Sequence, residues 1–255
     1  MKFYVCIKQV PDIDAPIQIK NGNLIQDTDR TVLNAYDASA VEEALVLTEK
    51  HGGEVEVVLI GPNQAKETIR KALAMGAHKA THIETREESY DSSVYASILA
   101  SFFEDKDYDV ISCGKQSQDT DAGLTGSMLA EHLDLPYSTN AVALSAQNGQ
   151  LRVKRQGDAG QELIALPLPC LVSCSNDMNE PRIPSLKGIM QSKRKPMETI
   201  ALDALEIDES ALEAKTAVTG YREKPKREAG QKFEGEPEET ARQVARLLDE
   251  EANVV

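Results

Sequence analysis

Val110-Ile111-Ser112-Cys113 runs directly into Gly114-Lys115-Gln116-Ser117-Gln118-Asp119-Thr120-Asp121-Ala122-Gly123-Leu124-Thr125-Gly126, after which the apolar spacing turns helical as far as Leu133. A short apolar run that ends in a polar, glycine-bearing loop and resumes as a helix is a strand, loop, helix unit. Its loop lies between the C-terminal end of a strand and the N-terminus of a helix. Unpaired backbone N–H groups and the positive end of the helix dipole favour an anion there, and phosphate is the natural guest. Gly123 and Gly126 let backbone approach a ligand, and Thr125 can cap the helix or offer a hydroxyl to a phosphate oxygen. The spacing is neither G-x-G-x-x-G nor a Walker loop, so from spacing alone the phosphate signal is weak. Asp119 and Asp121 admit a magnesium site or an acid/base couple; with no further acidic ligand close in sequence, turn-forming and capping roles are favoured.

The same unit recurs upstream. Lys2 to Val10 reads as a first strand, and Pro16 to Ile25 as a hairpin turning at Asn21-Gly22. Asn34 is placed to cap a helix starting near Asp37, with Ala40, Val41, Ala44, Leu45 and Thr48 on one face and Gly52-Gly53 as its stop. Strand Val55 to Ile60, a helix from Asn63 or Gln64 through Met75, strand Ala80 to Ile83 and a helix from Asp91 through Phe103 then lead into the quoted stretch. Strand, helix, strand repeated in this way predicts an α/β fold, a mostly parallel sheet with helices on both faces. Downstream, Asn140 to Ser145, Leu151 to Arg155, Leu163 to Leu166 and Leu171 to Cys174 read as strands extending that sheet in antiparallel fashion. From about Lys215 the chain turns polar through Lys224-Pro225-Lys226-Arg227-Glu228, an extended linker, before an amphipathic helix from Glu238 to Glu251 with Ala241, Val244, Ala245 and Leu248 on one stripe. Two parts are expected: 1–214, a nucleotide-binding domain, and 215–255, a linker and arm.

Composition narrows the function classes. With 42 acidic against 28 basic residues the net charge is −14, which repels nucleic acid and anionic lipid. The run Lys193-Arg194-Lys195 is too short to reverse that and reads as a solvated face or a steering patch. The apolar runs are too short for a membrane span, and the N-terminus meets charge too early for a signal peptide, so a cytoplasmic protein without membrane insertion is expected. Cys6, Cys113, Cys170 and Cys174 include no C-x-x-C pair and read as free thiols, the last two pointing the same way along a strand. His51, His78, His82 and His132 form no catalytic set, and surface positions are expected for them. No side-chain catalyst and no metal site emerge.

A second stretch is as specific as the first: Asn179-Glu180-Pro181-Arg182, then Pro184-Ser185-Leu186-Lys187-Gly188-Ile189-Met190, then the lysines from Lys193. The prolines bracket a helix start, and Leu186, Ile189 and Met190 fall at i, i+3, i+4. Two readings fit: a face packed on its own domain, or an anchor for a partner.

Taken in order, these residues resemble the electron transfer flavoprotein beta subunit family over nearly all of residues 2 to 200. Lys8-Gln9-Val10-Pro11-Asp12 is similar to the family opening, Asn34-Ala35-Tyr36-Asp37 to its Asn-Pro-aromatic segment, and Asn179 to Met190 to its signature. The resemblance implies a Rossmann-like fold of the adenine nucleotide alpha hydrolase-like kind, with a small antiparallel extension and an extended C-terminal arm that contacts an alpha subunit. It implies AMP bound in this subunit, or a second FAD in electron-bifurcating members that use NADH as donor, with the main FAD held by the alpha subunit. Carried over by position, the nucleotide contacts are Cys6, Asn34, Ile60, Gly114, Lys115, Gln116, Ser117, Asp119, Thr120, Asp121, Gly123, Leu124 and Thr125, while Tyr36 borders the flavin or simply covers the helix start. It further implies that the loop at about 174–196, through Pro184, Ser185, Leu186, Ile189 and Met190, docks on acyl-CoA dehydrogenase-type flavoenzymes, whose electrons pass on to a quinone-linked oxidoreductase. Leu186→Ala is then expected to slow that transfer and leave the nucleotide in place. Leu124 and Ala35 depart from the family's usual glutamine and proline, which leaves the identity of the nucleotide open. The other class of reading is a stand-alone adenine-nucleotide-binding protein.

Overall fold

The computed structural model describes residues 1–26, 30–86, 90–225 and 230–251. In chain order its strands and helices are β1 (Lys2–Ile7), β2 (Gln9–Pro11), β3 (Ile17–Lys20), β4 (Asn23–Gln26), β5 (Thr31–Leu33), α1 (Ala35–His51), β6 (Glu54–Gly61), α2 (Lys66–Met75), β7 (Lys79–Glu84), α3 (Ser92–Phe103), β8 (Val110–Gly114), α4 (Thr125–His132), β9 (Tyr137–Gln147), β10 (Gln150–Gly157), β11 (Gly160–Pro167), β12 (Cys170–Cys174), α5 (Leu186–Ser192), β13 (Met197–Ala201) and α6 (Pro237–Glu250). Nine strands form one sheet in the order β11-β10-β9-β12-β8-β1-β6-β7-β13. From β9 to β13 across that order every pairing is parallel, and only β10 runs against its neighbours.

Alternation along the central strands divides the side chains between two cores. Phe3, Val5 and Ile7 of β1 face the side covered by α1 and α2, with Val41, Leu45, Ile69 and Leu73. Tyr4 faces the side covered by α3 and α4, with Ile98, Phe102, Phe103 and Leu129. Strands apolar on both faces are what a doubly covered parallel sheet requires. Tyr4, Phe102, Phe103 and Tyr108 meet edge to face at centroid distances of 5.0 to 6.5 Å, a geometry that adds to plain area burial.

The structure corrects several sequence expectations. The first strand stops at Ile7, because the Lys8 N–H leaves the sheet ladder and donates to Asp37 Oδ2 at 2.7 Å; β2 then pairs with β5 in a separate ribbon. β12 is parallel, not antiparallel, and lies between β8 and β9. β13, an added parallel edge beside β7, had no sequence expectation. His82 is fully buried, its Nε2 2.9 Å from the Gly61 carbonyl, and burial lowers its pKa. The hairpin β3–β4 turns where expected, with Asn21 and Gly22 both at positive φ (54° and 77°), the conformation that selects Asn-Gly for a two-residue turn.

The first compact unit runs from Met1 to Gly220 and the second from Tyr221 to Val255. Of the expected linker, residues 226–229 lie outside the described residues, as do residues 252–255. Within the second unit α6 starts at Pro237, a proline at its first position, and carries an i,i+4 pair between Glu238 and Arg242 at 2.6 Å. Among the described residues no helix is long and apolar enough to cross a membrane.

Candidate nucleotide loop and docking helix

The sheet reverses its direction of growth at β1: β6 and β7 extend it one way, β8 and β12 the other. Ligands of open α/β sheets bind in the crevice beyond the strands' C-terminal ends at such a point. Here that crevice holds Lys8 after β1, the loop after β8, and the N-termini of α1 and α4.

The loop is strapped in place by side chains distant in sequence. Asn34 Nδ2 donates to the Gln116 carbonyl at 2.9 Å, Asn34 Oδ1 accepts from the Gln118 N–H at 3.1 Å, and Gln118 Oε1 accepts from the Ala35 N–H at 3.2 Å. Lys8 Nζ holds Asp119 through both carboxylate oxygens at 2.8 and 3.0 Å and lies 3.4 Å from Ser117 Oγ. Within the loop Ser117 Oγ and Thr120 Oγ1 are 2.9 Å apart, and Gln116 Nε2 donates to Asp121 Oδ1 at 2.8 Å. Asp121 takes φ 53°, a left-handed turn position that Asp tolerates. Two capping expectations are thereby corrected. Asn34 makes no cap on α1, because its amide is spent on the loop, and Thr125 is the first residue of α4, whose N-cap Leu124 makes no side-chain cap.

Asp37 was missed as a site residue, although it follows Tyr36 directly. It is buried, and its two oxygens accept from the N–H groups of Lys8 (2.7 Å) and Gly114 (2.8 Å), tying the ends of β1 and β8 to the start of α1. Gly114 has to be glycine for this approach: a Cβ there would stand 2.5 Å from Asp37 Oδ1 and 2.6 Å from Tyr36 Cβ. Burial pushes the Asp37 carboxyl up to about 7, against the pull of those two amides. Cys6 and Cys113 sit side by side on β1 and β8, and burial and the Asp37 charge push Cys113 up to about 12. Cys6 is raised too, by burial and then by Cys113 and Asp37. These thiols stay protonated and are poor nucleophiles. Among the described residues no three His, Cys, Asp or Glu side chains gather as metal ligands.

The structure brings Cys6, Asn34, Tyr36 and residues 114–125 to one end of the sheet. Ile60, next to last in β6, lies on the same face as Cys6 and packs into the second core. Lys115 Nζ lies 5.6 Å over the Tyr36 ring. A phosphate group fits what is present. The first-turn N–H groups of α4, at Thr125, Gly126 and Ser127, have no intrahelical acceptor. Gly126 leaves room only for backbone, since a Cβ would stand 2.7 Å from Cys113 Sγ. Leu124, 59% exposed, adds an apolar surface at the helix start.

The second stretch forms α5, capped by Ser185, whose Oγ accepts from the Gly188 N–H at 3.1 Å. Much of its apolar surface is left exposed: Leu186 is 76% exposed, Met190 66% and Ile189 46%, with Ile183 before the helix at 91%. Pro184, Ile183 and Ile189 line a groove of about 520 Å³ against Arg70, Lys71 and Ala74 of α2. In the basic run Lys195 is not a solvated charge; its ammonium is half-buried among carbonyls.

Residues 22–205 match the electron transfer flavoprotein domain family. The chain is 35% identical to the electron transfer flavoprotein subunit beta of Bacillus subtilis over 257 residues, covering all of both chains. It is 36% identical to that of Homo sapiens and 35% to that of Mus musculus, each over 240 residues, 92% of this chain and 93% of the relative. With the fold, the loop and the α5 stretch all falling inside those matches, the chain belongs to the electron transfer flavoprotein family, among its beta subunits.

Proposed function

We propose that this chain pairs with an alpha subunit as a heterodimeric electron transfer flavoprotein, holds AMP in the 114–125 loop, and passes electrons from acyl-CoA dehydrogenase-type flavoenzymes to a quinone-linked oxidoreductase. The observation that carries the nucleotide reading is the strapped loop at the switch point, with the free amides of Thr125, Gly126 and Ser127 behind it. These amides take the phosphate, while Gly126 lets the start of α4 close on β8 and Gly123 lets the loop close on Lys115. Gly123 is constrained in the same way as Gly126, since a Cβ there would stand 2.8 Å from the Lys115 carbonyl. Lys8 and Asn34 keep the loop in shape. AMP here is structural: the crevice thiols Cys6 and Cys113 stay protonated, and both Asp37 oxygens are engaged by the N–H groups of Lys8 and Gly114.

FAD, held mainly by the alpha subunit, supplies the redox chemistry when bound. On this chain Tyr36, with Lys115 Nζ 5.6 Å over its ring, would border it. The exposed apolar face of α5 is the docking surface for the dehydrogenase. A small, specific contact suits redox partners that must part after each transfer.

The test is to purify the native heterodimer, denature it, and identify and count the released nucleotides. One FAD and one AMP per heterodimer is the expected result. Two FAD would make it an electron-bifurcating complex with NADH as donor, and a lone chain that releases no flavin would overturn the reading in favour of a stand-alone nucleotide-binding protein.

A further inference from the structure

A helix of seven residues has too few hydrogen bonds to hold one pose by itself. What fixes α5 is polar and sits on both sides of it. On the N-terminal side the Arg182 guanidinium grips two carboxylates of α1: Nε and Nη2 donate to Glu42 at 2.8 and 3.0 Å, and Nη1 and Nη2 donate to Glu49 at 2.6 and 3.2 Å. The Arg182 N–H adds a third bond to Glu42 at 3.0 Å, and Asn179 Nδ2 donates to the Ser39 carbonyl and to Glu43, each at 3.1 Å. On the C-terminal side Lys195 Nζ donates to the carbonyls of Leu73, Gly76 and Ala77 at 2.9, 3.1 and 2.6 Å. These are orphan acceptors at the negative end of α2, where a cation is favoured. Arg70 Nη1 reaches the Ser192 carbonyl at 2.6 Å. Between the two clips α5 presses on α2 at Gly188, where a Cβ would stand 2.5 Å from the Ala74 carbonyl oxygen. Gly188 and Ser192 share the inner side of the helix, which puts Leu186 and Met190 on the outer one.

We infer that Arg182 and Lys195 are positioning residues for the docking surface, clipping α5 to α1 and α2 so that Leu186 and Met190 are presented outward in one preorganised pose. The inference rests on the docking function proposed above for α5. An anchor already held in its bound pose spares association the cost of ordering it. Arginine suits 182 because its planar fork gives each of the two carboxylates a pair of N–H donors, four bonds that the three donors of an ammonium cannot supply.

The test uses the heterodimer with its FAD, and an acyl-CoA dehydrogenase reduced by its acyl-CoA substrate as electron donor. Arg182→Gln and Lys195→Met are each expected to raise KM for the dehydrogenase roughly 10-fold, with kcat within about twofold of the parent. Amide hydrogen exchange across 183–192 should quicken while flavin and nucleotide content stay unchanged. Arg182→Lys should recover only part of the loss. Adding Arg182→Gln to Leu186→Ala should cost little beyond Leu186→Ala alone, because both act through the same anchor. Parent-like KM or unchanged exchange in both clip variants, with Leu186→Ala still impaired, would overturn the inference and leave the docking function standing. A parent-like KM in Leu186→Ala would instead remove the docking function itself, and the inference with it. Should Arg182→Gln not assemble, Lys195→Met decides alone.

Discussion

Asp37 is subject to two opposing pulls. Its burial favours the neutral acid, while the N–H groups of Lys8 and Gly114 favour the carboxylate. Burial wins, and the carboxyl is raised from 3.8 to about 7. A carboxyl raised on folding binds its proton more tightly in the native state, so its contribution to stability is full below pH 3.8 and is lost as pH rises through about 7. Asp37→Asn cannot titrate and serves as the reference. Relative to that variant, the parent protein is expected to lose about 2–4 kcal/mol of stability between pH 4 and pH 8, read from thermal or urea unfolding at several pH values. A parent that instead gains on the variant as pH rises would mean that the two amides hold the carboxylate ionised.

At the scale of elements, what was legible in the sequence is what local chemistry dictates. The Asn21-Gly22 turn, the apolar face of α1 and the glycine after α2 are each fixed by neighbours within a few residues. The strand, helix, strand alternation also announced the parallel sheet. Less legible was what depends on chain far away: the insertion of β12 between β8 and β9, the burial of His82 under a strand edge completed by β13, and the use of Lys195 as a cap for α2. Asn34 is the instructive error. Asparagine ahead of a helix is a good N-cap by local rules, yet its amide is worth more bridging Gln116 and Gln118, more than eighty residues on. If that bridge sets the loop's shape, Asn34→Ala should destabilise the fold by only about 1–2 kcal/mol. It should weaken AMP, titrated into nucleotide-stripped protein, by roughly 10-fold. Unchanged affinity would mean that Lys8 and Asp119 suffice to hold the loop.

For the whole molecule, the division at Gly220 separates two kinds of stability. Both apolar cores lie within Met1–Gly220, as do the sheet and the strapped loop. The first unit is even tied down beyond its last short helical turn, where the N–H groups of Lys215 and Thr216 donate to Asp91 at 2.7 and 2.9 Å. In the second unit α6 is a fourteen-residue helix with no buried residue, and Leu248 is 39% exposed. A helix of that length is marginal in water without a surface to cover its apolar stripe, and in the proposed heterodimer that surface belongs to the alpha subunit. Ending the chain after Gly220 is therefore expected to leave the melting temperature of the isolated subunit within a few degrees of the parent. The same truncation should abolish stable association with the alpha subunit, measured by size-exclusion chromatography of the mixed chains. A truncated subunit that melts much lower would show that the arm stabilises its own chain, and one that still assembles fully would place the subunit contact on the first unit alone.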